Sequence, residues 1–420
     1  MATLQEITAV MAGAVGEDSG LGKTLKFDFK GDGFIHIDGG SVTNDDKPAD
    51  CTIVIAFDDF QSMADGKLDP TMAFMQGKIK VNGDMSVAMK LQPIMAKAGA
   101  KDLITAAPLL DLPQAPVPTG GAAEWFIGQG GARLRAALFT SKDPAKVRGS
   151  VVLSPGRTEV IEKYFEVVTD LQARGFVVLV HDWRGQGLSH RMLPDRLKGH
   201  AEGTQPFLDD YQALLLAFET RLPKPWIAMG HSMGGCLTAL ALGHGESRFD
   251  GAILSAPMFG LNTGGRPKAV TRLLAQAMVL MGKGGDYVLG DPGKPFVSDF
   301  ANNALTHDQR RFDRAFAQIA ACADLALGSP TWSWLKFAFQ ACDWLAKDAA
   351  VTKISIPVIV LGAGAEALVD NAEQVAVTAR MPRGRHQMVD GAFHEILMET
   401  GALRDTFWQA FDGLAAEVAP

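Results

Sequence analysis

Cysteine is scarce and scattered: Cys51, Cys236, Cys322 and Cys342 are the only four in 420 residues, with no C-x-x-C pair and no Cys/His ligand spacing. That argues against a dense disulfide framework and against a zinc site, and reduced thiols in a cytosolic protein are the expectation. Positive charge is not in excess either. Lys and Arg number 40 against 47 Asp and Glu, a net charge of −7, so nothing favours a nucleic-acid partner, whose phosphates require clustered cations. No apolar run approaches the roughly 20 residues that span a bilayer. The opening "MATLQEITAVMAGAVGEDSG" has no basic region ahead of its apolar residues, and the expected location is the cytoplasm. Transient contact with a membrane surface stays open, since no polybasic amphipathic segment decides it.

What is present is enough apolar material for more than one core: 47% of residues are hydrophobic and 21% charged, the balance of an ordinary globular protein. Two grammars divide the chain. From residue 24, "TLKFDFKGDGFIHID" alternates apolar and polar positions and turns at Gly31–Gly33, which predicts two strands opening an antiparallel sheet. "CTIVIAF" reads as a third strand, "DDFQSMADG" and "DPTMAFMQG" as short helices, and "KIKVNG" as a last strand before the helix "DMSVAMKLQPIM". The closely spaced prolines of "AAPLLDLPQAPVPTGG" continue neither regular structure, so residues 99–120 read as a linker after a first domain over 1–98.

From about residue 121 strands alternate with amphipathic helices, the pattern of a mostly parallel α/β sheet covered on both faces. "SVVLS", "FVVLVHDWRG", "PWIAMG", "GAILSAP" and "IPVIVLG" are the strand candidates. Between about 261 and 350 the strands stop and the sequence turns helical and aromatic, which predicts a cap inserted into the second domain, 121–420.

Directly after "PWIAMG" comes "GHSMGG". A serine hydroxyl is a poor nucleophile until a base takes its proton, and a sharp strand-to-helix turn presents Oγ where a histidine can reach it. Such a turn brings backbones close together, so the positions two before and two after the serine need minimal side chains. Gly230 and Gly234 supply them around Ser232. Met233 then opens the helix, where its N–H can face a developing oxyanion.

An acid and a histidine must follow in that order, each after a strand. "VDGAFHEILMET" supplies His394. His231 adjoins the serine and cannot point back at it, while His244, His307 and His386 fall at a helix end, in the cap and in a strand. The loop "AGAEALVDN" offers Glu366 and Asp370, and carboxylate chemistry does not choose between them. Asp182 precedes the serine and is out of order. A second oxyanion donor belongs to the loop after "VVLS", where the backbone N–H of Arg157 is the candidate. The competing reading makes Arg157 a surface cation, open to a substrate phosphate.

With the elbow, "SPGRTEVIEKYFEVV", "HDWRGQGLS" and "GAFHEILMET" in view, residues from about 120 onward resemble α/β-hydrolases of the lysophospholipase and monoacylglycerol lipase group. The resemblance implies a serine esterase with a helical cap and no metal or organic cofactor. It aligns Glu366 with the family's acid and makes Asp370 a loop-ordering neighbour; the family's "HG" turn stands here as Pro155–Gly156. The first hundred residues, most clearly "SMADGKLDPTMAFMQGKIKVNGDMSVAMKL", resemble a sterol carrier protein-2 domain, which implies a small α+β fold around an apolar tunnel. Met63, Met72, Met75, Met85, Met89 and Met95 make this stretch methionine-rich, and flexible thioethers suit a cavity that repacks around an acyl chain or sterol. The bland reading of those methionines is plain core, and an artificial fusion of unrelated halves also fits.

In the cap, "PTWSWLKFAFQACDWLAK" gives one apolar face with Trp334 and Phe337, either cap packing or a wall for the acyl chain. The expected activity is hydrolysis of single-acyl lipids through an acyl-enzyme on Ser232. A small-ester carboxylesterase of the same fold, or a lipid carrier with a vestigial hydrolase, are the rivals.

Overall fold

The apolar runs of the second half become the centre of a nine-stranded sheet. The computed structural model describes residues 4–16, 18–64, 68, 73, 76–84, 87, 105–141, 143–288, 295 and 299–420. The chain falls into two compact units, the first carrying the N-terminal residues through Thr105 and the second most of the chain from Ala106 to Pro420.

In the first unit, strands β1 (Leu25–Asp28), β2 (Phe34–Asp38), β3 (Ser41–Thr43), β4 (Cys51–Ile55) and β5 (Ile79–Gly83) lie in the order β3-β2-β1-β4-β5. The sheet is mixed rather than antiparallel throughout, because β1 runs parallel to β4. Alternation sends Leu25 and Phe27 inward with Cys51, Ile53 and Ile55. Phe27, Phe29 and Phe60 meet edge to face or stacked at centroid distances of 5.2–6.0 Å, which fixes the helix Phe57–Ala64 on the sheet. The helix Leu4–Val15 was not legible from the sequence; it places Met11 and Val15 in this core. Met72, Met75, Met85, Met89 and Met95 lie outside the described residues.

The second unit's sheet runs β14-β13-β12-β11-β9-β10-β8-β7-β6. Its members are β6 (Thr105–Ala107), β7 (Gly121–Ile127), β8 (Arg133–Phe139), β9 (Gly149–Ser154), β10 (Phe176–His181), β11 (Trp226–His231), β12 (Gly251–Ser255), β13 (Val358–Ala363) and β14 (Gly384–Val389). From β10 to β14 every neighbouring pair is parallel, and β8 joins β10 antiparallel. Strands β9 to β13 are buried along their whole length, which is why they read as unbroken apolar runs. Each buried Val, Ile or Leu side chain contributes about 1.5–3 kcal/mol to this core.

The described part of the stretch read as a linker, from Thr105 onward, departs from that reading. Thr105–Ala107 forms the edge strand β6. The Pro108 carbonyl and Leu110 N–H are then tied down by the Arg135 guanidinium and the Glu162 carboxylate at 3.0 and 3.3 Å. Proline supplies no donor, but its carbonyl remains a good acceptor for a buried arginine. Arg135 itself is sealed from solvent between Glu162 and Asp182. Asp182, already out of order as a catalytic acid, is thus spent on Arg135.

Between β12 and β13 the chain forms the helices Lys268–Leu280, Gln309–Ala321 and Trp332–Lys347. Asp308 and Thr331 cap the second and third by accepting from the N–H groups of Arg311 and Trp334. Arg311 and Arg314 reach Glu166 on the helix Phe165–Ala173, which anchors the cap to the body of this unit.

Candidate active site

Strand β11 ends at His231, and the helix Met233–Gly243 begins at once. Ser232 between them sits at φ 50° and ψ −116°, a conformation costing about 1–3 kcal/mol that surrounding contacts must hold. Its N–H donates to the Ser255 carbonyl at 3.0 Å, and its own carbonyl accepts from Cys236 and Met258 at 3.0 and 2.9 Å. The flanking glycines are required by space. A Cβ on Gly234 would fall 2.1 Å from the Ser154 carbonyl oxygen, and one on Gly230 2.7 Å from the Gly235 Cα. At the first helical position the Met233 N–H has no intrahelical acceptor.

His394 and Glu366 arrive from the loops after β14 and β13. His394 Nε2 lies 2.9 Å from Ser232 Oγ, and His394 Nδ1 lies 2.7 Å from Glu366 Oε2. Both partners of the latter pair are buried, with side-chain exposures of 5% and 2%. Burial works to raise the Glu366 carboxyl, but the hydrogen bond and charge of His394 and the N–H groups of Leu368 and Val369 outweigh it and hold the pKa below the usual value. The histidine loop is pinned by Ala304 and Leu305, whose carbonyls accept from His394 and Glu395 at 3.3 and 2.9 Å. Glu399, fully buried, accepts from the N–H of Phe393 at 2.7 Å.

Asp370, the alternative acid, is not part of this set. It caps the helix Asn371–Thr378 by accepting from Ala372 and Glu373, and it pairs with Lys268. Four residues beyond Glu366, it belongs to the helix rather than to the histidine, which no property of a carboxylate in sequence reveals.

Arg157 follows the turn Pro155–Gly156 at the end of β9. The Gly156 N–H is occupied by Glu159 Oε2 at 2.5 Å. The Arg157 side chain is half-buried: Nε is shut off from solvent, one Nη donates to the Gly328 carbonyl, and the guanidinium lies 5.2 Å from the centre of the Trp334 ring. Trp334 and Phe337 are buried, and Phe337 packs on Phe207 with centroids 5.0 Å apart. Their place is the junction between cap and body. An apolar pocket opens elsewhere, lined chiefly by Val160, Leu305, Phe312, Phe316, Ile319 and Leu327, with Thr158 and Glu395 at its polar side. The sequence signal for that wall was the Phe312/Phe316 spacing on the helix Gln309–Ala321.

His231, set aside in the sequence, belongs to a buried ionic group beneath the site. Its Nδ1 faces Glu159 Oε2 at 3.0 Å and its Nε2 the His394 carbonyl at 3.2 Å. With acceptors at both nitrogens, the imidazolium satisfies both. Burial opposes that charge, and Glu159 overrides it to raise the His231 pKa. Lys163 bridges Glu159 and Glu395 at 2.8 and 2.5 Å, and the Tyr164 hydroxyl donates to Glu159 at 2.6 Å. Burial likewise opposes the Glu159 carboxylate, but His231 and Lys163 hold it well below its usual pKa. The readable trace was Glu159 and Lys163, spaced i, i+4.

The sheet order, the elbow and the inserted helices define an α/β-hydrolase with a cap. Residues 145–401 match the family model Hydrolase_4, described as serine aminopeptidase, S33, and residues 3–96 match the SCP-2 sterol transfer family. The chain belongs to the Hydrolase_4 family, and its N-terminal part to the SCP-2 family. Lysophospholipase L2 of Escherichia coli strain K12 is 32% identical over 292 residues, covering 66% of this chain and 83% of that protein. Human sterol carrier protein 2 is 48% identical over 61 residues, which is 14% of this chain and 11% of that protein. A soluble variant of monoglyceride lipase from Saccharomyces cerevisiae, solved with a substrate analogue, superposes with a TM-score of 0.59 at 18% identity, covering 75% of this chain and all of that one. That likeness speaks for the fold.

Proposed function

We propose that this protein hydrolyses the carboxylic ester of single-acyl lipids, lysophospholipids or monoacylglycerols. The observation that carries the reading is the chain of hydrogen bonds from Ser232 Oγ through His394 to Glu366 at a strained elbow. In this reading Ser232 attacks the acyl carbonyl as His394 takes its proton, and Glu366 fixes the imidazole and stabilises its cation. The N–H groups of Met233 and Arg157 receive the oxyanion. His394 returns the proton to the departing glycerol oxygen, and water then attacks the acyl-enzyme by the same route. No metal or organic cofactor takes part.

Two features support a lipid rather than a small ester. The apolar pocket beside Thr158 and Glu395, the latter adjoining His394, offers apolar surface to part of a substrate. In the cap, the helix Lys268–Leu280 turns Val270, Leu273, Leu274 and Leu280 to solvent, joined by Met281, with Leu273 67% and Leu280 87% exposed. Among the described residues no helix is long and apolar enough to cross a membrane, so this stripe is a candidate for lying on a lipid surface, where single-acyl lipids reside. In this reading the protein is cytoplasmic and peripheral to membranes, where such a stripe meets its lipid. The relatives named lysophospholipase L2 favour the same substrate class. For the N-terminal unit, the SCP-2 match supports binding of an acyl chain or sterol, which a fluorescent fatty-acid titration of the full chain tests; no saturable binding at micromolar protein overturns it.

The deciding experiment is fatty-acid release from chain-matched lysophosphatidylcholine, monoacylglycerol and a short-chain ester. Long single-acyl lipids should win on kcat/KM; preference for the short ester would replace this reading with a small-ester carboxylesterase. Leu273→Ser combined with Leu280→Ser should slow hydrolysis of vesicle-borne substrate several-fold while sparing monomeric substrate. Equal rates on vesicles would remove the stripe from the account.

A further inference from the structure

The cap and the histidine loop meet on one fully buried carboxylate, that of Glu399. From the histidine loop it accepts the N–H of Phe393 at 2.7 Å and that of Thr400 at 3.1 Å. From the cap it accepts the N–H of His307 at 3.0 Å and the same residue's ring Nδ1 at 2.8 Å, which carries the proton in order to meet a carboxylate. Leaving a buried acceptor without its donor costs about 1–3 kcal/mol, and more for an ion. Glu399 is thus satisfied only while both segments are in place.

The junction extends beyond the carboxylate. The N–H groups of His394 and Glu395 donate to the Ala304 and Leu305 carbonyls, the Thr306 hydroxyl donates to the Met398 carbonyl at 2.6 Å, and Arg311 Nη1 donates to the Glu399 carbonyl at 2.8 Å. The His307 ring stacks on Phe393, the neighbour of His394, with centroids 3.8 Å apart. On the cap side His307 is held from both directions. Asn303 Oδ1 accepts from the N–H groups of Leu305 and Thr306 at 2.8 and 2.9 Å, and Asp308 caps the helix Gln309–Ala321. Residues 303–311 and 393–400 therefore interlock, and displacing either strains the other.

The same cap segment walls the apolar pocket. Leu305 lies within the interlocked stretch, Phe312, Phe316 and Ile319 follow on the helix that it opens, and Glu395 borders the pocket beside His394. His394 Nε2 lies 2.9 Å from Ser232 Oγ, and a misplacement of about 1 Å in such a set costs on the order of 100-fold in rate. A chain packed on Phe312 and Phe316 thus bears on the imidazole through His307 and Glu399.

We propose that His307 and Glu399 are positioning residues that transmit filling of the apolar pocket to His394, so that a long acyl chain speeds acyl transfer instead of only tightening binding. This rests on Ser232, His394 and Glu366 acting as the acyl-transfer set. Contacts to the unreactive tail are then expressed in kcat, which is how remote binding accelerates chemistry.

The test measures kcat and KM of the full chain on p-nitrophenyl butyrate and p-nitrophenyl decanoate in wild type, His307→Phe, His307→Asn and Glu399→Gln. Rates are divided by the amount of titratable serine, so that misfolded molecules do not count. The His307 side chain is 42% exposed, so the two variants there should fold even where Glu399→Gln does not. Phenylalanine keeps the stack on Phe393 and loses the Nδ1 donor, whereas asparagine loses the stack and keeps a donor near the place of Nδ1. In His307→Phe, kcat on the decanoate should fall about tenfold or more with KM within about twofold, and kcat on the butyrate less than about threefold. His307→Asn should recover most of the loss. A wild-type kcat independent of chain length, an equal loss on both esters, or a loss confined to KM would each overturn the proposal. Phosphonylation of Ser232 by ethyl and decyl fluorophosphonates reads the same split without turnover and separates the two readings. If lysophosphatidylcholine and monoacylglycerol are not cleaved while the decyl reagent still loses limiting rate in His307→Phe, the lipid substrate fails and the positioning role stands. If neither reagent reacts with wild type, both fail.

Discussion

Ser232→Ala should lower kcat on lysophosphatidylcholine by about 10⁶-fold, the scale on which a serine nucleophile acting with its histidine is lost. That corresponds to roughly 8 kcal/mol of transition-state stabilisation. The effect is confined to chemistry, because alanine keeps the Cβ and inherits the backbone strain of φ 50° and ψ −116° unchanged. Its thermal midpoint should stay within a few degrees of wild type. Ser232→Gly, free of that strain, should be as inactive and more stable by about 1 kcal/mol or more. Fatty-acid release and thermal unfolding on the same preparations check both halves. Activity above one per cent of wild type in purified Ser232→Ala would remove the serine from the mechanism.

Glu366→Gln is the second large effect, about 10⁴-fold in kcat, since an amide leaves the shape intact but cannot stabilise the imidazolium and favours the wrong tautomer. Asp370→Asn should cost no more than a few-fold, because asparagine also caps a helix well and Asp370 touches Lys268 and its own helix rather than His394. Equal losses at the two positions would refute the assignment. The acid also has a stability signature. Because the folded pKa of Glu366 lies below its ordinary value of 4.5, its stabilisation is present above about pH 4.5 and is lost as pH falls through the folded value. The gap in thermal midpoint between wild type and Glu366→Gln should therefore narrow as the pH drops below 4.5, which melting curves across pH 3–7 would measure.

The buried parallel strands were readable because burial on both faces leaves a run such as "FVVLV" no room for polar residues. The elbow was readable because two glycines are forced by contacts at 2.1 and 2.7 Å. What the sequence hid depends on contacts far apart in the chain. The antiparallel strands β7 and β8 carry mixed patterns such as "GAAEWFI", and the parallel pairing of β1 with β4 joins segments 26 residues apart. Glu366 and Asp370 are chemically alike; the family resemblance favoured Glu366, and it is the helix beginning at Asn371 that takes up Asp370. Trp334 and Phe337 have a periodicity that states which face is apolar without stating what covers it. The wall of the pocket came from a different cap helix.

The ionic group beneath the site has a consequence for how this sequence can diverge. Glu159 accepts from the turn at Gly156, from His231 at the elbow and from Lys163, which in turn holds Glu395 beside His394. Replacing any one of these residues strands a buried charge, a loss of about 3–5 kcal/mol, while changes at two of them interact rather than add. Glu159, Lys163, His231 and Glu395 are thus bound to a shared history. Among descendants of this chain they should persist or be exchanged as a block, and an intermediate holding only part of the set is the step selection would remove.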